Sequence, residues 1–152
     1  MTRIETTITI AAPIEVVFDL ARSVEAHQAS TAWSGERAVA GKTSGLLGPG
    51  EAVTWRARHL GVVQELTGVI TEFDPPRHFQ DRMLRGPFKS LRHDHYFEPT
   101  ADGGCLMRDV LEFEAPLGPL GRLAEALFLE AYMRRFLERR AMALKKLAER
   151  PL

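Results

Sequence analysis

Two histidines two residues apart, His93 and His95, have the most chemistry to offer in this 152-residue chain. In an extended strand, residues two apart share a face and stand roughly 6.5–7 Å apart, so both imidazoles point the same way. Histidine changes charge near neutral pH and can move a proton, orient a carbonyl or ligate a metal. Two aspartates fall on comparable faces of neighbouring segments. Asp109 interrupts the apolar row Cys105, Met107, Leu111 and Phe113, and Asp81 shares a face with Phe79 and Met83. A carboxylate in an apolar row must be paired or lose its charge, and histidine is its natural partner. If the three faces coincide, Asp81, His93, His95 and Asp109 form one cluster. Its catalytic candidates are His93, His95 and Asp109, acting as general acid and base in an enolisation or aldol-type cyclisation. The competing use is a hydrogen-bonded patch that stabilises the sheet or orients a ligand. His-x-His alone is a weak metal signal. No nucleophile motif, phosphate loop or cofactor fingerprint accompanies it. The expectation is therefore no metal and no cofactor.

The elements that must position this cluster are mostly strands. Arg3 to Ile10 alternates apolar and polar residues, the pattern of a half-buried strand. Pro13 then suits the first turn of a short helix whose apolar side is Val16, Val17, Leu20 and Ala21. A second short helix follows around Val24–Gln28. Turn residues, among them Gly48-Pro49-Gly50, Asp74-Pro75-Pro76 and Arg85-Gly86-Pro87, divide the next stretch into six strands. These are Ser34–Gly41, Glu51–Arg58, Val62–Phe73, His78–Leu84, Lys89–Glu98 and Cys105–Glu114. Short connections imply antiparallel hairpins. From Leu117 to Arg150 the chain has helical periodicity, enough for roughly 45 Å of helix. Two stripes divide that helix. Leu117, Leu120, Ala124, Leu127, Phe128 and Ala131 are expected to face the interior of a curved sheet. Leu129, Met133, Phe136, Leu137, Leu144 and Leu147 are expected to pack on other elements, with a kink near Ala131–Arg135 as the alternative.

Composition sets broader bounds. The chain has 20 Lys plus Arg and 20 Asp plus Glu, a formal net charge of zero. That gives no electrostatic reason to expect nucleic acid or an anionic membrane as partner. The basic residues Arg134, Arg135, Arg139, Arg140, Lys145 and Lys146 lie among glutamates and read as a solvated helix face. A single cysteine, Cys105, cannot form an intrachain disulfide and fits a reducing compartment. No apolar run has membrane-spanning length, and no signal core opens the chain. The expectation is one cytoplasmic domain over 1–152, with homodimerisation left open.

The order strand, two short helices, six strands and a long helix, together with particular motifs, resembles a known family. Ile8-Thr9-Ile10-Ala11-Ala12-Pro13 with Val16-Val17-Phe18-Asp19-Leu20 resembles the start of the SRPBCC superfamily, the START-like or Bet v 1-like helix-grip proteins. Gly86-Pro87-Phe88-Lys89-Ser90-Leu91 and the strand ending Phe97-Glu98-Pro99 are similar to its polyketide-cyclase-like and coenzyme Q-binding branches. The resemblance implies an α+β helix-grip fold: a curved, antiparallel, seven-stranded sheet around the C-terminal helix, with a ligand cavity between them. The expected ligand is a small hydrophobic molecule, such as a lipid, an isoprenoid quinone or a polyketide-like compound. Trp55, Met83, Met107, Leu127 and Phe128 are the expected apolar walls. Asp81, His93, His95 and Asp109 would orient a carbonyl or hydroxyl, and the Tyr132 hydroxyl would reach the ligand from the helix. Trp33 is expected near the mouth. His27, His59 and His78 read as solvated surface histidines. Two other function classes remain: a cyclase or dehydratase-like enzyme using the same cluster, and an accessory protein acting through its surface.

Overall fold

The strand alternation seen in the sequence becomes, in a computed structural model describing residues 1–150, a single seven-stranded antiparallel sheet. Its strands are β1 (Thr2–Ile10), β2 (Arg37–Gly41), β3 (Ala52–His59), β4 (Val62–Asp74), β5 (His78–Arg85), β6 (Ser90–Pro99) and β7 (Cys105–Glu114). They lie in the order β1-β7-β6-β5-β4-β3-β2. Five hairpins join β2 through β7, while α1 (Ile14–Ala21) and α2 (Val24–Ser30) carry the chain from β1 to the far edge. β2 starts later than its sequence pattern suggests, because Ala32–Ser34 forms a tight helical turn that ends at Gly35 with φ 67°. Irregular pairing interrupts β4/β5 near Thr67/Gly68 and Ile70/Glu72, and β2/β3 near Ala38/Ala40. Extra residues of this kind bend a strand and sharpen its twist, so the sheet curves.

The concave side holds the C-terminal helical segment. It is not one regular helix: α3 (Gly118–Ala124) passes through a wide π turn at Glu125–Leu129 into α4 (Glu130–Ala148). A π turn adds a residue to the helical repeat, so the face beyond it is rotated by roughly 100°. This is the physical reason for the two displaced stripes, and it corrects their expected assignment. The early stripe points outward, with Leu127 71% and Phe128 47% exposed, whereas Leu137 and Leu144 are buried against the sheet and α1. The break lies at Glu125–Leu129, before the Ala131–Arg135 stretch.

Glu125 anchors the π turn: its buried carboxylate accepts the Ala115 N–H at 3.0 Å and the Thr2 hydroxyl. Gly121 allows α3 to fold back closely, since a Cβ there would lie 2.0 Å from the Pro116 carbonyl oxygen. At the other end, Lys145 donates to the Thr9 carbonyl (2.9 Å) and the Ala11 N–H donates to Glu149 (2.7 Å). Two apolar clusters result. The larger joins Phe18, Phe79, Phe97 and Met107 to Leu144; the smaller joins Ile4, Leu111 and Phe113 to Leu137. No helix among the described residues is long and apolar enough to cross a membrane.

Candidate functional site

A cavity of about 330 Å³ lies between the concave sheet and α4. Residues two apart reach it from four neighbouring strands: Val53, Trp55 and Ala57 from β3, Leu66, Gly68 and Ile70 from β4, Phe79 and Asp81 from β5, and Leu91, His93 and His95 from β6. The helix closes it with Leu129, Tyr132, Met133, Phe136, Leu137 and Arg140, which share one α-helical face. Exposed Leu60 also lines the cavity, so the end beside Leu60, Pro87 and Phe88 reaches the surface.

Strand register brings the polar residues together. Asp81 stands opposite His93, which stands opposite Leu111; one pair further on, Phe79 faces His95, which faces Asp109. The bonds run diagonally across these pairs. His93 Nε2 and Asp109 Oδ1 are 2.8 Å apart, as are His95 Nε2 and Asp81 Oδ2. His95 Nδ1 approaches Asp109 Oδ1 at 3.2 Å, an ion-pair contact too bent to be an aligned hydrogen bond. The two imidazoles stack with centroids 3.7 Å apart, and His95 stacks on Phe79 at 4.1 Å. Asp109 lies behind the histidines and is 1% exposed, whereas Asp81 keeps 31% of its side chain open towards the cavity it lines.

Burial and pairing oppose one another here. For Asp109, burial raises the pKa, but the hydrogen bond to His93, the close His95 imidazole and the nearby Arg140 charge outweigh it, holding the carboxyl well below its ordinary range. Asp81 is lowered in the same way, burial being overcome by its bond to His95. Burial is again the largest influence on His95 and would lower it, yet the close Asp109 carboxylate and the bond to Asp81 leave it raised. An imidazole between two carboxylates satisfies both only as the imidazolium. His93 is lowered, by burial first and by the His95 charge second. It is therefore the neutral partner, with its proton on Nε2 facing Asp109. Among the described residues His93 Nδ1 makes no hydrogen bond, and it is not sealed off, so it opens to the cavity that His93 lines.

Arg140 completes the floor. Sequence grouped it with the solvated basic face, but it is 3% exposed, with Nη2 donating to the Ala21 carbonyl at 3.2 Å. Its Nη1 lies 3.6 Å from Asp109 Oδ1 and has no hydrogen-bond partner among the described residues. The available signal was its place in the apolar stripe. Met133, Leu137, Arg140, Leu144 and Leu147 follow one another at steps of three or four, so Arg140 occupies a core position.

A second polar group lies on the opposite wall. His27 Nε2 is 3.1 Å from Glu36 Oε1, and His59 Nδ1 is 2.7 Å from the Tyr132 hydroxyl. The His27 ring also packs at a tilt against Trp55, with centroids 4.1 Å apart. The expectation of solvated histidines fails for His27 and His59, which line the cavity. Burial raises Glu36, but the His27, His59 and Arg140 charges together bring it below its ordinary value. Burial lowers His59. Glu36 Oε2 is buried without a partner among the described residues, and nothing in the sequence marked it, because Glu36 precedes an irregular edge strand. His78 sits instead on the outer sheet face, 2.9 Å from Asp94.

The expected apolar walls divide. Trp55 and Tyr132 line the cavity; Leu127 and Phe128 do not, because the π turn faces them outward. Met107 also lies outside the lining: it is fully buried in the larger core, where α1 and the end of α4 close over the sheet. Met83 is half-buried and folds over Gly86, beyond the cavity edge. Trp33 is 43% exposed, packing edge-on against Phe136 at 5.5 Å.

Known proteins share this architecture. The family model described as "Polyketide cyclase / dehydrase and lipid transport" matches residues 1–149, and the chain belongs to this family of the SRPBCC superfamily. Solved structures share the fold at low identity. The Thermus thermophilus protein TTHA0849 superposes with TM-score 0.80 at 20% identity, covering 99% of this chain and 100% of that one. The Zhui aromatase/cyclase of Streptomyces sp. R1128 gives 0.79 at 18% identity, covering 98% and 94%. A START superfamily protein of Mycobacterium smegmatis gives 0.70 at 17%, covering 97% of each. No curated protein sequence matches the chain.

Proposed function

We propose that the chain binds a small, largely apolar molecule between the sheet and α4, and orients one of its oxygen atoms against the floor formed by His93, Asp81 and Arg140. The observation that carries this reading is the pairing of an apolar cavity with a few polar groups that open into it, His93 Nδ1 and the Asp81 carboxylate, with the Arg140 guanidinium beside them. Arg140 Nη1 is enclosed behind this floor, 3.6 Å from Asp109, and its positive charge favours an acceptor oxygen on the cavity side. Ligand pockets commonly run from about 300 to 1,000 Å³ with a few polar groups fixing orientation. A cavity near the small end favours a compact ring system or a quinone head group over a long-chain lipid. A purely surface-acting protein would have no use for this unfilled interior. The test is native mass spectrometry of the freshly purified protein, with solvent extraction of whatever it carries. A compact apolar compound with a carbonyl or hydroxyl group supports the reading. A tightly held long-chain lipid, or no uptake from a panel of compact hydroxy-ketones and quinones, rejects it.

One observation also favours a cyclase-like or dehydratase-like reading. Asp109 holds the Nε2 proton of a neutral His93, leaving Nδ1 as a base facing the cavity. Nδ1 would take a proton from carbon beside a ligand carbonyl, the electron pair would move to that oxygen, and Arg140 would stabilise the resulting enolate. Exchange of that proton with deuterated water, measured by NMR on a bound β-diketone, should be lost in His93→Ala. Equal exchange in both proteins rejects this role.

A further inference from the structure

Spacing along the sequence is only a weak metal signal here, and the side-chain geometry adds to it. One donor atom from each of Asp81, His93 and His95 lies within 4.8 Å of the other two. A strand ladder holds all three, with Asp81 directly opposite His93. Behind the histidines, Asp109 Oδ1 is 2.8 Å from His93 Nε2 and 3.2 Å from His95 Nδ1. The opposite nitrogens, His93 Nδ1 and His95 Nε2, are thereby left for the front, and the second is 2.8 Å from Asp81 Oδ2. A carboxylate bonded to the rear nitrogen of a ligating imidazole fixes the ring and raises its basicity, and metal sites use this support repeatedly. Here Asp109 supports His93 in this way and lies 3.2 Å from the rear nitrogen of His95.

We propose that His93 Nδ1, His95 Nε2 and a carboxylate oxygen of Asp81 bind one divalent cation of the Zn²⁺ class, with Asp109 as the outer support. Two nitrogens and one oxygen suit such an ion, and three protein ligands leave a coordination position open. In the metal-free protein, the proton shared by His95 and Asp81 holds the cation's place. On binding, His95 Nε2 gives that proton to solvent and its lone pair to the metal. The open position faces the cavity, with the enclosed Arg140 guanidinium close behind it, 3.6 Å from Asp109. Two carboxylates balance the ion, and Arg140 leaves one positive charge. An anionic oxygen, from an enolate, phenolate or carboxylate, completes both the coordination and the charge. With the ion in place, His93 is a ligand and not a base, so this site excludes the proton-transfer role described above.

A second group of donors, Glu72, His78 and Asp94, also gathers closely. It lies on the outer sheet face, where Asp94 already accepts from His78 and Gln80 and meets Arg92 at 3.5 Å. Its capacity is spent, and it faces no cavity.

The test uses tag-free full-length protein, stripped with a chelator and dialysed, then titrated calorimetrically with Zn²⁺ and spectroscopically with Co²⁺. One ion per chain is expected, with the visible absorption of low-coordinate Co²⁺. Asp81→Asn and His93→Ala should each abolish binding, and Asp109→Asn should weaken it about 10–100-fold. Each variant's cooperative melt is checked first. No stoichiometric ion, or an ion retained by both Asp81→Asn and His93→Ala, overturns the inference. Because this site does not depend on the organic ligand, ligand uptake is measured separately on stripped protein. Uptake without an ion removes only the metal, and an ion without uptake removes only the ligand reading.

Discussion

Replacing Asp109 with asparagine removes one charge from the centre of the buried network while keeping the shape of the side chain. The carboxylate is 1% exposed and has His93 at 2.8 Å, His95 at 3.2 Å and Arg140 at 3.6 Å. Breaking a buried ion pair costs about 3–5 kcal/mol, because the surviving charge is left uncompensated. The lower end applies here: an asparagine carbonyl can still accept the His93 N–H, and Asp81 still holds His95. A loss of about 3 kcal/mol corresponds to a melting temperature lower by about 6–12 °C in a domain of this size. The assay is urea and thermal unfolding of chelator-treated protein at pH 6. Acid gives the control. Asp109 has a folded pKa depressed below the unfolded value of about 3.9, so its contribution is complete above the unfolded pKa and is lost as pH falls through the folded one. The stability gap between wild type and variant should therefore be steady between about pH 5 and 6, before His95 titrates, and start to close below about pH 4. A loss under about 1 kcal/mol at pH 6, or a gap that persists into acid, would refute the reasoning that places a paired charge there.

Other consequences follow from the same geometry. His95 is raised above its unfolded value of about 6.5, so its pairing stabilises fully below that pH and is lost as pH rises through the folded pKa. Stability measured from pH 6 upward should decline on this account, and Asp81→Asn should flatten the decline; an unchanged slope would show that the pairing contributes nothing. Arg140→Met keeps much of the buried stem but removes the positive charge at the floor, so it should weaken an anionic apolar ligand about tenfold, the scale of one charged interaction. Calorimetric affinities equal to wild type would remove Arg140 from the floor.

The sequence carried the sheet well because its information is local. Period-2 patterning and turn residues placed the strands, and the three faces bearing Asp81, the histidines and Asp109 needed only a regular register between β5, β6 and β7 to meet. The helix was misread for a reason that periodicity cannot supply. A π turn changes phase without any distinctive residue, so Leu127 and Phe128 read as inward until the turn at Glu125–Leu129 is known. Arg140 was hidden by its chemistry: a charged residue among charged neighbours suggests solvent, although its spacing put it on the buried stripe. Glu36, His27 and His59 come from three separate segments and meet only through the tertiary fold. No single segment announces them. His-x-His was weak evidence for a metal because its third ligand and its outer carboxylate lie on other strands.

The central claim is that the interior cavity is the binding site, and Gly68 offers the most direct measurement. Gly68 lines the cavity on the same strand face as Leu66 and Ile70, and a Cβ there would meet nothing closer than the Arg82 carbonyl oxygen at 3.6 Å. Gly68→Phe should fill the cavity from a position that accepts a side chain. Saturable binding of 1-anilinonaphthalene-8-sulfonate, an apolar anion, is followed by fluorescence in wild type and in this variant. One site in wild type that disappears in a Gly68→Phe protein still melting cooperatively is the expected result. Equal binding by both proteins would put the probe on the exposed Leu117–Phe128 face and contradict the account.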